Sequence, residues 1–364
     1  MPNRKHLPEF AGLRTFDFPS CEELGTRLVR AGYEAEERGL PKPDALPPDE
    51  AFMAAKAEPG AFAWRLRLMP FGDEEDFRTY LKRFIAEIDT AAVTALIIRN
   101  CWDPGPANDH VDAVRDAVTE HAGAFPALRA LFFGEVTREE ADRYSWIAQA
   151  DVSPLLAAFP GVREFVVRGA DEMTFGGSWG TFTLAWNVPR HKELRRLTFQ
   201  THRLDPVVVR GVLSSDLPAL EHLELFLGSA DGDGASPEDL APLLAGAAFP
   251  SLTSLGLRNG QDTDALVAAM ADAPVTGRLS VLDLSLGTLT DKGAQILLDT
   301  PAFLDLDRLD LHHHHMSEEM TEQIRSRFTE AGVAIDVGGR QELEEYEDDE
   351  YEYEEEPIYP AIVD

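Results

Sequence analysis

Cysteines and long apolar runs are the scarcest features of this sequence. Its 364 residues contain two cysteines, Cys21 and Cys101, which lie far apart. A disulfide-held secreted domain needs several paired cysteines, so this class is excluded, and low cysteine usage is typical of a reducing compartment. No segment reaches the roughly 20 apolar residues that span a bilayer, and the first residues lack the apolar run of a signal peptide. We therefore expect a soluble, cytoplasmic protein.

Basic residues are scarce relative to acidic ones. The chain has 33 Lys and Arg residues against 65 Asp and Glu residues, and its net charge is −32. Nucleic acids and anionic membranes are bound by clustered cations that displace counterions. We therefore expect neither class of partner. The negative field would instead steer a basic protein partner toward the chain.

The common catalytic motifs are absent as well. The sequence contains no GxxxxGK[ST] phosphate loop, GxSxG elbow, HExxH pair or paired CxxC. Cys101 and His110 could form a thiol and a base, but Cys101 stands where a buried structural cysteine is ordinary in a repeat, and this interpretation is favoured. We expect no catalytic residue, no cofactor and no enzyme activity. A metal-assisted or cofactor-free enzyme remains the less favoured alternative.

The run from His312 to His315 raises the question of a metal site. A dedicated zinc site needs three or four ligands that converge in tetrahedral geometry. The repeat pattern described next places His312 on one face of a strand and turns His314 toward the core. Because alternation separates these ligands, we expect no physiological metal.

One repeated pattern dominates what the sequence does contain, and it is clearest in residues 279–289, LSVLDLSLGTL. Leucine occupies positions 1, 4, 6 and 11 of this stretch, and Gly287 occupies position 9. Amphipathic stretches with helical spacing, such as the one that carries Phe77, Leu81 and Phe84, lie between the copies. The predicted strands span residues 63–68, 93–98, 128–133, 162–167, 194–199, 220–225, 252–257, 279–284 and 306–311.

The pattern resembles the leucine-rich repeats of the ribonuclease-inhibitor type, in which units of about 27 to 29 residues pair one strand with one helix. This resemblance implies an α/β leucine-rich repeat solenoid of about nine repeats. Such a solenoid is a horseshoe with parallel strands on the concave face and helices on the convex face. Stretches such as DLPALEHLELFLG and LDLHHHH also resemble a bacterial family of cytoplasmic leucine-rich-repeat proteins. Its members, as the resemblance implies, are encoded near radical S-adenosylmethionine enzymes and a hydrolase.

Three parts follow from this pattern. Residues 1–60 form a lead-in that caps the first repeat, although residues 13–18, LRTFDF, could form one more repeat. Residues 61–338 form the array. Residues 339–364 form a disordered acidic tail with interspersed tyrosines. The tail either solubilises the protein or docks, through its apolar ending PIYPAIV, onto a partner or onto the arginine-bearing concave column.

Side chains alternate along a strand, so positions 5 and 7 of each repeat face the concave surface. Position 5 begins with Arg67 and continues with three apolar residues, which predict one exposed patch that contacts a partner. The alternative is that a loop or the N-terminal segment covers this patch. The candidate protein-binding residues on the two columns are Ile97, Arg99, Phe132, Val166, Arg168, Gln200, Phe226, Arg258 and His312.

Residues 171–190 form an aromatic insertion that contains Trp179, Phe182 and Trp186. Tyr and Trp often anchor partners, but such clusters more often pack their own loop against the core, and the second interpretation is favoured.

These features favour a monomeric, non-enzymatic module that binds an unknown protein on the concave face of the array. In the alternative, the chain is an inhibitor, as the ribonuclease inhibitor is, or an accessory subunit of a neighbouring enzyme such as a radical S-adenosylmethionine enzyme.

Overall fold

The computed structural model describes residues 6–68, 75–99, 110–137, 147–175, 180–228, 234–341 and 358–362. Within these residues the chain is a mixed α/β protein with one large, mostly parallel sheet. Cys101, Trp179 and residues 342–357 of the acidic tail lie outside the described residues.

The sheet has twelve strands, which follow the chain from one edge to the other. All neighbouring strands are parallel except the first pair, which forms an antiparallel hairpin. Strands β7 (Glu172–Phe175) and β8 (Gly180–Thr183) form a separate two-stranded ribbon. The twelve strands are β1 (Glu9–Phe10), β2 (Leu13–Phe18), β3 (Phe62–Leu66), β4 (Ala95–Arg99), β5 (Ala130–Glu135), β6 (Glu164–Arg168), β9 (Arg196–Gln200), β10 (His222–Gly228), β11 (Ser254–Gly260), β12 (Val281–Asp283), β13 (Arg308–Asp310) and β14 (Ala334–Asp336).

Helices fill most of the connections between the parallel strands. Several begin at side-chain caps. At the start of the helix Asp291–Asp299, for example, the Thr290 hydroxyl accepts a hydrogen bond from the Lys292 amide. The ten helices are α1 (Cys21–Glu37), α2 (Glu50–Ala57), α3 (Phe77–Glu87), α4 (Val111–Glu120), α5 (Ser153–Ala158), α6 (Pro206–Leu213), α7 (Ala241–Leu244), α8 (Thr263–Ala271), α9 (Asp291–Asp299) and α10 (Glu318–Glu330).

The main core lies between the helices and one face of the sheet. The residues predicted at positions 4 and 6, such as Leu282 and Leu284, are buried there against helix residues such as Leu297. The intervening strand residues point to the other side. We call this side the second face: the sheet face that carries Ile97 and Phe132 and is turned away from the helices of the core.

The predicted column at position 5 is confirmed across eight strands but is shifted at its start. Ile97 pairs with Arg65 of β3 and not with Arg67, so the predicted register of the first strand is wrong by two residues. The cause is that alternation has a period of two, and a shift of two residues keeps every side chain on its face. Apolar spacing therefore does not distinguish the two registers.

The sheet extends into the predicted lead-in. Strand β2 pairs in parallel with β3, and Asp17 continues the position 5 column beside Arg65. Residues 13–18 thus form a strand of the same sheet, and the hairpin formed by β1 and β2 closes its edge.

Candidate functional site

The predicted apolar patch on the second face is covered. Ile97, Phe132 and Val166 are 0%, 2% and 8% exposed, and they pack with Phe10. The rings of Phe10 and Phe132 lie 5.9 Å apart. The prediction that these three residues are exposed is wrong. The alternative, that the N-terminal segment covers them, is confirmed by this packing. The physical reason is that burying an apolar patch is favourable when a nearby part of the chain can reach it.

A buried carboxylate fixes the covering segment. Glu135 is 1% exposed, and its oxygens accept hydrogen bonds from His6 Nδ1 at 2.9 Å and from the Leu7 amide at 3.3 Å. Arg65 lies 3.4 Å from Glu135 and donates to the Leu7 carbonyl at 2.6 Å. Burial alone would raise the pKa of Glu135, but the hydrogen bond from His6 and the charge of Arg65 outweigh it, and the pKa is lowered.

Two predicted partner-binding arginines are internal. Arg99 Nη1 donates to the Leu68 carbonyl at 2.7 Å. Arg168 Nη1 donates to the Val136 carbonyl at 2.6 Å, and its guanidinium lies 5.1 Å from the centre of the Phe132 ring. The expectation that these arginines present their charge to a partner is therefore wrong: both are buried and satisfy backbone carbonyls of the array.

The end of the acidic tail binds the second face farther along the sheet. Asn259 Nδ2 donates to the Ile362 carbonyl and Asn259 Oδ1 accepts from the Ile362 amide, both at 2.9 Å. The Ala361 amide donates to the Leu286 carbonyl at 2.8 Å. The prediction of a disordered tail is wrong for residues 358–362, and the alternative of docking on the array is confirmed for them.

Two further contacts hold the beginning of this segment. Gln261 Nε2 donates to the Ile358 carbonyl at 2.9 Å. His315 Nε2 lies 3.3 Å from the Tyr359 carbonyl, to which it donates. Residues 358–362 are therefore tied at both ends by side chains of the array.

An apolar pocket receives the last described side chain. Ile362 is 8% exposed and packs against Val136, Ile147, Phe226 and Leu286. Phe226, a predicted contact residue, is 4% exposed and is thus buried by the chain's own tail.

A polar cluster on β10, β11 and β12 remains partly accessible. Arg258 lies 3.4 Å from both Glu224 and Asp283, and its Nε donates to Ser285 Oγ at 2.9 Å. Burial first, and then the charge of Asp283, raises the pKa of Glu224 against the opposing effect of Arg258. Of the candidate residues, Gln200, Arg258 and His312 are half-buried and reachable from solvent.

The surroundings of His222, beside this cluster, predict that acid destabilises the protein. Burial, and then the charges of Arg196 and Arg258, lower the pKa of His222 from 6.5 to about 4. Glu224 lies 3.8 Å from His222, and its charge is not among the effects that set this pKa. Because the folded pKa lies below the unfolded one, acid favours unfolding between these values. We expect the melting temperature to fall as the pH decreases from 6.5 to 4, and His222→Gln to flatten this decrease; an unchanged slope in calorimetry would contradict the assignment.

Three ligand-type residues meet at the end of the sheet. Asp310, His312 and Asp336 have donor atoms within 4.8 Å of one another. Asp310 already accepts hydrogen bonds from His312 Nδ1 at 2.7 Å and from Arg308 Nη2 at 2.9 Å. These contacts outweigh burial and lower the pKa of Asp310 to about 2. The Asp310 carboxylate is thus already bound by Arg308 and His312, as in a structural salt bridge.

The other histidines do not join this cluster. His314 is in the core, where Nε2 donates to the Val337 carbonyl at 3.1 Å and Nδ1 accepts from the Met316 amide at 3.2 Å. Burial, and then the charge of His315, lower the pKa of His313 to about 4. The predicted separation of His312 from His314 is confirmed.

The aromatic insertion packs inward where it is described. Trp186 is buried, donates from Nε1 to Ser215 Oγ at 2.9 Å and contacts Phe199 edge to face at 5.6 Å. Phe182 stacks on His110 at 5.4 Å. The strands β7 and β8 were not predicted, although the Gly-Gly pair at residues 176 and 177 is a hairpin signal.

The comparisons with known proteins bear on the fold. The chain matches no protein-family model and no curated protein. It is similar to a crystal structure of a Bacteroides fragilis protein from a structural genomics consortium. The two share 22% sequence identity with a TM-score of 0.69 over 95% of this chain and 88% of that chain. The helices in the described part of this chain are all too short or too polar to cross a membrane. At this identity the similarity establishes the mixed α/β fold with its long, mostly parallel sheet.

Proposed function

We propose that this chain is a leucine-rich repeat array of the ribonuclease-inhibitor type and that it binds a partner protein on the concave face. Neighbouring strands lie about 4.7 to 4.9 Å apart, whereas packed helices need about 8 to 10 Å. Helices on one side of a parallel sheet therefore bend it away from themselves. The second face becomes the inner surface of a horseshoe.

The observation that carries this proposal is that the second face already holds polypeptide. Residues 6–10 cover its first strands, and residues 358–362 cover strands near its middle. Both segments come from outside the repeats. They are held by apolar side chains and by hydrogen bonds to their backbone groups, which are features that any protein segment offers.

The charge of the remaining surface indicates the kind of partner. In the register of the sheet, Asp283, Asp310 and Asp336 stand side by side at position 5 on neighbouring strands. Asp336 is exposed. We call the three aspartates the acidic column. Asp283 and Asp310 are already paired with Arg258 and Arg308, so the preference for a basic partner surface rests on Asp336 and on the net charge of −32.

A pull-down from native cytosol at low and high salt tests the proposal. We expect the wild-type chain to retain a basic protein at low salt and to lose it at high salt, because exposed charge pairs are screened. The double variant Asp283→Asn, Asp336→Asn should retain at least several-fold less. Glu330→Gln, which removes an exposed acid at the end of α10, is the matched control and should behave as wild type.

Either of two results would contradict the proposal: no protein is enriched at either salt, or the double variant retains the partner as well as Glu330→Gln does. If the partner is an enzyme, its activity with and without this chain distinguishes an inhibitor from an accessory subunit. An inhibitor lowers that activity and an accessory subunit does not.

A further inference from the structure

The contacts of residues 358–362 are those of a bound peptide. Asn259 pairs with both the amide and the carbonyl of Ile362, so its side chain reproduces the pairing that a neighbouring β-strand would offer. The Leu286 carbonyl accepts from the Ala361 amide, and Gln261 donates to the Ile358 carbonyl. All four hydrogen bonds go to the backbone of the segment. Because they do not depend on the side chains of the segment, they would hold other sequences in the same backbone conformation.

Pro360 and Ile362 are the buried residues of the described segment, and Ile362 is its aliphatic anchor. Ile362 enters the apolar pocket formed by Val136, Ile147, Phe226 and Leu286, while Tyr359 remains exposed. A pocket with apolar walls accepts an aliphatic side chain and rejects a charged one, because an unpaired buried charge is costly. The site therefore selects for a backbone with free amide and carbonyl groups and for one aliphatic anchor.

The polar groups of the site are placed for a ligand. Asn259 is fully buried and has a left-handed backbone with φ of 56°. Two of the three hydrogen bonds given for its side chain go to Ile362, and the third, to the His202 carbonyl, is longer at 3.3 Å. The buried Gln261 Oε1 has no hydrogen-bond partner among the described residues. A buried amide that loses its partners is destabilising, so a peptide bound at this place stabilises Asn259.

We propose that the site formed by Asn259, Gln261, Leu286 and the apolar pocket binds a peptide segment of a partner protein that carries an aliphatic anchor, and that residues 358–362 occupy it as an intramolecular competitor. This inference rests on the proposed function, since it identifies one way in which the second face recognises protein. It adds a site distinct from the acidic column. The available Gln261 Oε1 offers a partner peptide one hydrogen bond that the tail leaves unmade.

The tail belongs to the same chain as the site, and this determines how strongly it competes with a peptide added in solution. A ligand that belongs to the same chain as its site has an effective concentration on the order of millimolar. The tail is joined to the array by residues 342–357, which supply ample length. A peptide added in trans must therefore compete with the tail in the wild-type chain and meets an open site when the tail is released.

The test uses a fluorescent octapeptide with the sequence of residues 357–364, PIYPAIVD, and full-length chains. Ile362→Asp releases the tail by placing a charge in the pocket, and Ala361→Pro releases it independently by removing the amide that donates to Leu286. Both changes lie outside the array. Val207→Asp, an equivalent charge on the exposed surface of α6, is the matched control.

We expect fluorescence anisotropy to show at least about tenfold tighter peptide binding by both tail variants than by wild type or Val207→Asp. Adding Asn259→Gly, which keeps the left-handed backbone, to Ile362→Asp should weaken binding at least tenfold. Equal affinity in wild type and both tail variants overturns the proposal, and so does binding that is insensitive to Asn259→Gly. A wild-type chain that dimerises by exchanging tails would overturn the intramolecular competitor and identify a second copy as the occupant.

A displayed library of random peptides, selected on Ile362→Asp, tests the anchor. Enrichment of one aliphatic position supports the site, and enrichment without an aliphatic position overturns it. The outcome is separable from that of the pull-down. If the Asn259→Gly variant still retains the cytosolic partner in the pull-down, the proposed function is supported and this site is refuted. Peptide binding without any cytosolic partner would do the reverse.

Discussion

Leu284→Asp is expected to abolish cooperative folding of the array. Leu284 is 1% exposed, lies in the main core, and its amide donates to the Asp310 carbonyl at 2.9 Å. Losing a buried leucine costs about 2 to 5 kcal/mol, and an unpaired carboxylate in the core adds several more. A total stability of about 5 to 15 kcal/mol leaves little after such a loss. Circular dichroism during thermal unfolding should show no transition or one lowered by at least about 10 °C.

Val281→Asp is the matched control for this change. Val281 is the first residue of β12, and Leu284 directly follows the end of that strand; Val281 lies on the second face, half-buried, and pairs in register with Arg308. A carboxylate there meets solvent and a cation, so the melting temperature should change by only a few degrees. If the two variants lost the same stability, the assignment of the two faces of β12 would be wrong.

Glu135→Ala is expected to release the N-terminal segment from the second face. The change leaves Arg65 buried with Asp17 as its remaining ion partner at 2.7 Å and removes the acceptor of His6 and of the Leu7 amide. Breaking a buried pair typically costs about 3 to 5 kcal/mol, and the retained Asp17 contact places the expected loss near the lower end. Hydrogen exchange should increase at residues 6–10, and binding of a hydrophobic dye should rise as Phe132 and Ile97 become accessible.

Glu221→Ala provides the comparison for an exposed ion pair. Glu221 contacts Arg195, and both side chains are about half exposed. Such pairs contribute about 0 to 1 kcal/mol, so exchange at residues 6–10 should not change. If Glu135→Ala also left that exchange unchanged, the apolar contacts of Phe10 would be sufficient to hold the segment.

The strands were predictable because their signal is local and repeated. Each predicted segment from 63–68 to 306–311 overlaps an observed strand, and the burial of Leu282 and Leu284 follows from alternation alone. The exception is the register of β3. There the sequence offers apolar residues at Trp64, Leu66 and Leu68, which fit two registers equally well.

The cover of the second face was not predictable with the same certainty, because it depends on contacts between distant residues. Phe132 in a strand has the same local pattern whether Phe10 lies over it or not. The useful signal in the sequence was the apolar PIYPAIV ending. It allowed docking of the tail to be considered. The contact between Asn259 and Ile362 could not be predicted, because residues so far apart along the chain produce no periodic pattern in the sequence.

The contact between His6 and Glu135 has a consequence for the nascent chain during synthesis. The two residues are separated by 129 positions. Synthesis at about 5 to 20 residues per second leaves the N-terminal segment without its anchor for roughly 6 to 26 seconds. During that interval the apolar side chains of β4 emerge before the carboxylate that fixes their cover, so the nascent chain offers a transient surface for chaperones that the finished protein conceals.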